Sequence, residues 1–312
     1  VIILAIEMPV MDGLTALPKL IQAKPGIKVI MASTLTLENA EVSMRAMKLG
    51  AVDYIPKPTS TREISGAGEF QRDLLDKVRA VTGRTAPVAG TQVPSAAAPQ
   101  RKPLYSGEVV LHKAPTTYKK PEIIAIGSST GGPQALFEVV RGLGDGVKQP
   151  IVITQHMPPK FTTILAQHIE QTCGRPCAEG KDGEPVLPGR IYLAPGDFHM
   201  TVHGTGPNKV IRLSQDPPEN FCRPAVDPMF RSVAEAYGAR VLAVVLTGMG
   251  SDGTKGGKVL VEAGATLVAQ DEPTSVVWGM PGAAAMAGIC SALLPLKSVA
   301  GYINDYVAKG MP

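Results

Sequence analysis

"PEIIAIGSSTGGPQALFEVV", residues 121–140, decides the fold: an apolar run at 123–126 breaks at Gly127, Ser128, Ser129, Thr130, Gly131 and Gly132, then resumes with helical spacing. Pro133 suits the first turn of a helix, and Leu136, Phe137, Val140 and Leu143 recur on one helical face. Strand, tight turn and helix together make half of a βαβ unit. The same rhythm returns in the apolar runs at 150–154, 241–247 and 266–270, each separated from the next by helical patterns. Residues 121–312 are therefore expected to form an α/β domain with a doubly wound, mostly parallel sheet. Residues 180–215 carry short strands punctuated by Gly and Pro, and are expected to form an inserted β-hairpin. In such sheets ligands and catalytic groups gather outside the carboxyl ends of the strands, which makes the 127–132 turn the first candidate site.

Outward from this stretch, residues 1–82 repeat the alternation. Strands are expected at 1–6, 28–31 and 52–55, with helices at 13–23 and 37–49. A closing helix at 69–81 places Phe70, Leu74, Leu75, Val78 and Val81 on one face. Residues 83–120 turn rich in Pro, Ala, Ser and Thr without sustained periodicity, and read as a flexible linker. The chain opens on "VIILAI" without an initiator Met, inside a buried-strand pattern, and is expected to be a fragment lacking its N-terminal residues.

Composition narrows the function classes. The 312 residues are 44% hydrophobic and 19% charged, enough for two domains with cores. A balance of 31 basic against 27 acidic residues, spread along the chain without interleaved aromatics, lacks the footprint of a nucleic-acid binder. Cys173, Cys177, Cys222 and Cys290 show no zinc-like spacing, so they read as reduced packing or surface thiols in a cytoplasmic protein. No stretch reaches the roughly 18 apolar residues of a membrane span, and no secretory leader pattern is present.

The turn at 127–132 can be a phosphate cradle, a nucleophile site or a plain connection. A Walker loop would carry Gly-Lys-Ser/Thr after its glycines, and a dinucleotide fold would carry G-x-G-x-x-G with an acidic residue about 20 further on. Neither pattern is present. A serine nucleophile needs an imidazole to take its proton and a carboxylate to orient that imidazole. Of the five histidines, His156 follows the 150–154 strand directly, whereas His168 lies in a helical pattern, His112 in the linker, and His199 and His203 in the hairpin section. "VLAVVLTGMGSDGTKGG" ends another apolar strand at Thr247, Gly248, Met249, Gly250, Ser251 and Asp252. Alone, "GSDG" is an ordinary turn. Strand ends carrying Ser, His and Asp together point to a hydrolase, with Ser128 and Ser129 both open as nucleophile. The chain order and the missing G-x-S-x-G elbow separate it from the α/β-hydrolases.

The motifs "IAIGSSTGG", "TQHMPPKFT", "YLAPGDFHM", "VDPMFRSVA", "VLTGMGSDG" and "AQDEPTSVVWGMPGAA" occur in order across 121–312 and closely resemble the chemotaxis protein-glutamate methylesterase/glutaminase (CheB) family. The resemblance implies a cofactor-free serine hydrolase that demethylates glutamate γ-methyl esters on chemoreceptors and deamidates particular glutamines. It implies Ser129 as nucleophile, His156 and Asp252 as the other catalytic residues, and Thr130 and Met249 as their neighbours, with the Met249 N–H as candidate oxyanion donor. No membrane insertion and no nucleic-acid partner are expected.

Residues 1–82 resemble a partial, flavodoxin-like response-regulator receiver, through "EMPVMDGL", Ser33–Thr34 after a strand, and Tyr54 followed by "PKP". In the family, a chemotaxis histidine kinase phosphorylates an Asp of this domain with Mg²⁺ bound, and the phosphorylated receiver moves off the active-site face. Here Ala5 stands at the acceptor position, Glu7 is not a plausible substitute, and most of the Mg²⁺ site is missing. Ser33 and Lys57 match the switch hydroxyl and phosphate-binding Lys. Residues 1–82 are expected to be poorly stable alone. A second class of function is a degenerate receiver joined to a catalytically idle docking module; intact Ser129, His156 and Asp252 favour the enzyme.

Overall fold

The computed structural model describes residues 1–34, 36–57, 67–83, 109–113 and 119–309, the side chains of 67–69 and 309 excepted. Most of the expected linker at 83–120 lies outside the described residues. The described residues up to 83 include a three-stranded parallel sheet in the order β1 (Ile2–Ala5), β2 (Val29–Ser33), β3 (Asp53–Pro56). Helices α1 (Gly13–Ala23) and α2 (Leu37–Lys48) connect these strands, and α3 (Ala67–Thr82) follows them. The Asp12 and Thr36 side chains accept backbone N–H bonds three residues on, which caps α1 and α2.

From residue 119 the chain builds a seven-stranded sheet in the order β12-β11-β10-β4-β5-β7-β6, every pairing parallel. These strands are β4 (Ile123–Ser128), β5 (Ile151–Gln155), β6 (Cys177–Glu179), β7 (Ile191–Leu193), β10 (Val241–Val245), β11 (Thr266–Gln270) and β12 (Ala292–Leu294). The helices are α4 (Gly132–Arg141), α5 (Phe161–Cys173), α6 (Val226–Tyr237), α7 (Thr254–Glu262), α8 (Met280–Met286) and α9 (Leu296–Lys309). Central β4 is buried at every position, because both faces of the sheet carry apolar layers. Ile124 and Ile126 belong to the layer with α4 and α5; Ile123 and Ala125 belong to the layer with α6. Burying one such isoleucine contributes about 1.5–3 kcal/mol, so a continuous apolar run is the pattern a two-sided strand requires.

The hairpin expectation holds only in part. β8 (His199–His203) and β9 (Val210–Ser214) form an antiparallel pair, but β7, also within 180–215, joins the main parallel sheet beside β5. At three residues it is too short to show a period, and only its pairing with β5 and β6 makes it a sheet strand.

The two sheets share a core. Leu17, Met44 and Met47 lie in one apolar cluster with Leu136, Phe161 and Leu165. Tyr54 stacks on Phe161 with ring centroids 4.4 Å apart, and the Gln134 Nε2 donates to the Ala51 carbonyl. The His168 Nε2 lies 3.0 Å from a Glu41 carboxylate oxygen, so this histidine belongs to the packing of α5 on α2.

Candidate active site

Three loops at the carboxyl ends of β4, β5 and β10 converge, and backbone bonds lock them together. The Ser129 N–H donates to the Thr247 carbonyl at 3.0 Å, and the His156 N–H to the Ser128 carbonyl at 3.1 Å. Gly131 takes φ 76° to start α4, a left-handed conformation that favours glycine. A Cβ on Gly132 would come within 2.0 Å of Gln155 Oε1, so a side chain there would displace the Gln155 amide.

The two serines divide their roles. Ser128 is fully buried, and its Oγ donates to Gln155 Oε1 at 2.7 Å. The Gln155 Nε2 in turn donates to the carbonyls of Ser129 and His156, which fixes both loops. Ser129 is half-buried, and among the described residues its hydroxyl has no hydrogen-bond partner. Thr130, next in chain, is buried, and its hydroxyl donates to Asp53 of the N-terminal sheet at 2.9 Å.

His156 and Asp252 meet directly, with Nε2 2.7 Å from Oδ2. Asp252 is fully buried and accepts from the backbone N–H groups of Val226 at 2.6 Å, Asp227 at 3.0 Å and Gly253 at 2.9 Å, and from Asn220 Nδ2 at 2.8 Å. Burial pushes its carboxyl up, but the His156 contact and these donors outweigh that and hold it below the usual carboxylate range. An ionised carboxylate only accepts, so His156 Nε2 carries the proton and Nδ1 is left as the basic nitrogen.

Nδ1 does not meet Ser129. It faces the Cys222 Sγ at 3.4 Å. Burial disfavours the imidazolium, yet the contacts with Cys222 and Asp252 overcome it and push His156 up to about 10. The structure thus joins the His–Asp pair and sets Ser129 on the adjoining strand end, with a thiol against the base. Reading the cysteines as packing or surface thiols fits Cys290, buried and pushed up to about 12, but not Cys222. Only the place of "NFCRP" between the hairpin and α6 hinted at its proximity to the site.

A base acts only above its own pKa. Removing Cys222 removes a contact that raises the imidazole, so His156 should titrate lower in Cys222→Ala. The rising limb of kcat/KM should then move to lower pH, and each unit moved raises the free-base fraction at pH 7 about tenfold. A limb that stays in place in Cys222→Ala would remove the thiol from control of His156.

Met249 follows Gly248, whose N–H donates to Val277 and whose carbonyl accepts from Gly279 and Met280. Around these residues lies the N-terminal region: Met249, Val276 and Val277 pack with Phe70, Leu74 and Val78 of α3. Lys77 of α3 pairs with Asp53 at 3.3 Å and donates to the Tyr54 carbonyl at 2.8 Å.

The receiver-like residues fall elsewhere. Ala5 ends β1, Ser33 ends β2 with its Oγ 3.2 Å from Ser43, and the Lys57 N–H donates to the Ser33 carbonyl at 2.7 Å. The methyl of Ala5 offers no ligand to Mg²⁺, Glu7 Oε1 accepts from Asn39 at 3.4 Å, and no metal-ligating cluster exists among the described residues. The residues present do not fit the cation.

A CheB methylesterase family model matches residues 124–303, and a response regulator receiver domain model matches residues 1–67. The protein-glutamate methylesterase/protein-glutamine glutaminase 1 of Rhodospirillum rubrum is 58% identical over 316 residues, covering 97% of this chain and 82% of that protein. The protein-glutamate methylesterase/protein-glutamine glutaminase of Azospirillum brasilense is 58% identical over 99% of this chain and 81% of its own length. Among solved structures, the Thermotoga maritima CheB methylesterase catalytic domain is 39% identical with a TM-score of 0.58, over 60% of this chain and 99% of that one. The chain belongs to the CheB methylesterase family.

Proposed function

We propose that Ser129, His156 and Asp252 hydrolyse glutamate γ-methyl esters on chemoreceptor proteins, and deamidate receptor glutamines, in the adaptation of bacterial chemotaxis. The observation that carries this reading is the 2.7 Å contact of His156 Nε2 with an Asp252 whose oxygens are saturated by donors, beside the half-buried Ser129 on the next strand end. The His156 ring turns its basic nitrogen from Cys222 to Ser129 and takes the hydroxyl proton as Oγ attacks the ester carbonyl, and the Met249 N–H stabilises the oxyanion. The imidazolium then protonates the leaving methoxide, and methanol departs. Water, deprotonated by the same nitrogen, cleaves the acyl-enzyme and leaves a glutamate carboxylate. Glutamine follows the same course with ammonia leaving. Every step uses side chains and backbone of this chain, without a cofactor.

Cytoplasmic work on the receptor suits this chemistry, and no helix among the described residues is long and apolar enough to cross a membrane. The test is methanol release from methylated receptor in membranes incubated with the full chain. No release above a chain-free control would sink the reading.

The contact between Thr130 and Asp53 supports a restraining role for the N-terminal region, since it ties the nucleophile's neighbour to the covering sheet. The histidine kinase of the family would find no acceptor carboxyl at Ala5, so relief would come from elsewhere. A bond to a charged group contributes about 1.5–3 kcal/mol, and in Asp53→Ala the half-buried Lys77 also loses its carboxylate partner. That variant should release methanol several-fold faster. A rate equal to or below that of the unaltered chain would show that the contact only packs.

A further inference from the structure

Phe221 is 95% exposed and belongs to no apolar cluster. A lone exposed apolar residue is ordinary. Its backbone is not. Glu219 and Cys222 exchange both backbone hydrogen bonds, at 2.9 and 3.2 Å, closing a two-residue tip in which Asn220 has φ 52° and Phe221 φ 63°. Left-handed values at both central residues suit Asn followed by Gly. Asn220 obeys that preference; a bulky phenylalanine at the second position strains the backbone and gains no burial in return. Nothing in the fold accounts for the ring.

The tip is held by the catalytic machinery. Asn220 Nδ2 donates to Asp252 at 2.8 Å and to Asp227 at 3.0 Å, and Cys222 Sγ lies 3.4 Å from His156 Nδ1. Glu219 takes both terminal nitrogens of Arg231, and Arg223 is clamped by Asp197 at 2.6 Å. Phe221 thus stands between two residues that touch the His–Asp pair, an apolar ring on a rim whose neighbouring side chains are charged, amide or thiol. A substrate carried on a protein enters the site with one side chain only, and its flanking residues remain on that rim. A rigid aromatic ring suits such an anchor, at low cost in side-chain entropy.

We propose that Phe221 positions the receptor substrate by packing against an apolar side chain that flanks the target glutamate ester. The inference rests on the proposed function above. Its test compares the full chain with Phe221→Gly, Phe221→Ala and Phe221→Leu on two substrates: methylated receptor in membranes, and the small ester N-acetylglutamate γ-methyl ester. Phe221→Gly and Phe221→Ala should raise KM for the receptor about tenfold, the size of one interface anchor, with kcat nearly constant. Selectivity for receptor over the small ester should fall by the same factor, and Phe221→Leu should recover most of it. Phe221→Gly relieves the backbone, so its Tm should equal or exceed that of the unaltered chain. An unchanged receptor KM in Phe221→Gly, an equal loss on both substrates, or a lowered Tm overturns this inference alone. Failure of the unaltered chain to release methanol from receptor overturns the proposed function and this inference with it.

Discussion

Ser129→Ala should reduce methanol release from methylated receptor by about 10,000-fold or more, because the hydroxyl that forms the acyl-enzyme is gone and only binding and oxyanion donors remain. The fold should not register the change: the Ser129 hydroxyl has no hydrogen-bond partner among the described residues, so its loss strands no buried group. Ser128→Ala should behave in the opposite sense. It strips Gln155 Oε1 of its 2.7 Å donor, which costs stability of about 1–3 kcal/mol, while most turnover survives. Rates and Tm values for the two variants decide between the serines. Equal rates for the unaltered chain and Ser129→Ala would remove Ser129 from the mechanism, and a loss at Ser128 as deep as at Ser129 would reassign the nucleophile.

Asp252→Asn should lower kcat by about 1,000- to 10,000-fold at pH 7. The carboxylate now fixes the proton on His156 Nε2 and leaves Nδ1 basic. An amide NH₂ in place of Oδ2 would face both His156, reversing its tautomer, and the Val226 N–H, donor against donor; in place of Oδ1 it would face the Asp227 and Gly253 N–H groups. The first orientation spoils the base outright, the second keeps the tautomer but loses the charge that stabilises the imidazolium, and both destabilise the start of α6. Full pH profiles of kcat, with Tm measured alongside, test this. Activity within tenfold of the unaltered chain would mean that His156 needs no carboxylate to orient it.

The two variants probe what the residues disclosed at different depths. Apolar runs at 123–126 and 241–247 announced strands because a strand buried on both faces must be apolar throughout. The glycines of the 127–132 turn announced a tight strand-to-helix connection for an equally local reason. With three strand ends bearing Ser, His and Asp, most of the candidate site was legible. The difference between Ser129 and Ser128 was not, because neighbouring residues of one type differ only in what the fold sets against them: Ser128 is buried on Gln155, whereas the half-buried Ser129 hydroxyl has no partner among the described residues. β7 stayed hidden because three residues carry no period.

Cys222, Asn220 and Asp227 lie outside every strand-end motif, and chain distance concealed their relation to His156 and Asp252. The reach from His156 to Cys222 spans 66 positions, and that from Thr130 to Asp53 spans 77. Hydrophobic periodicity reports which face of an element is buried, and it carries no information on which polar atoms then meet. By itself the sequence determined the α/β architecture and placed Ser, His and Asp at strand ends, since both follow from local pattern; that Ala5 stands at an acceptor position rests on the resemblance to receivers. The tertiary structure alone decided that His156 turns one nitrogen to Asp252 and the other to a thiol, and that Thr130 is tied to the covering sheet. Those are contacts at about 3 Å between distant segments, and only the packed core sets them.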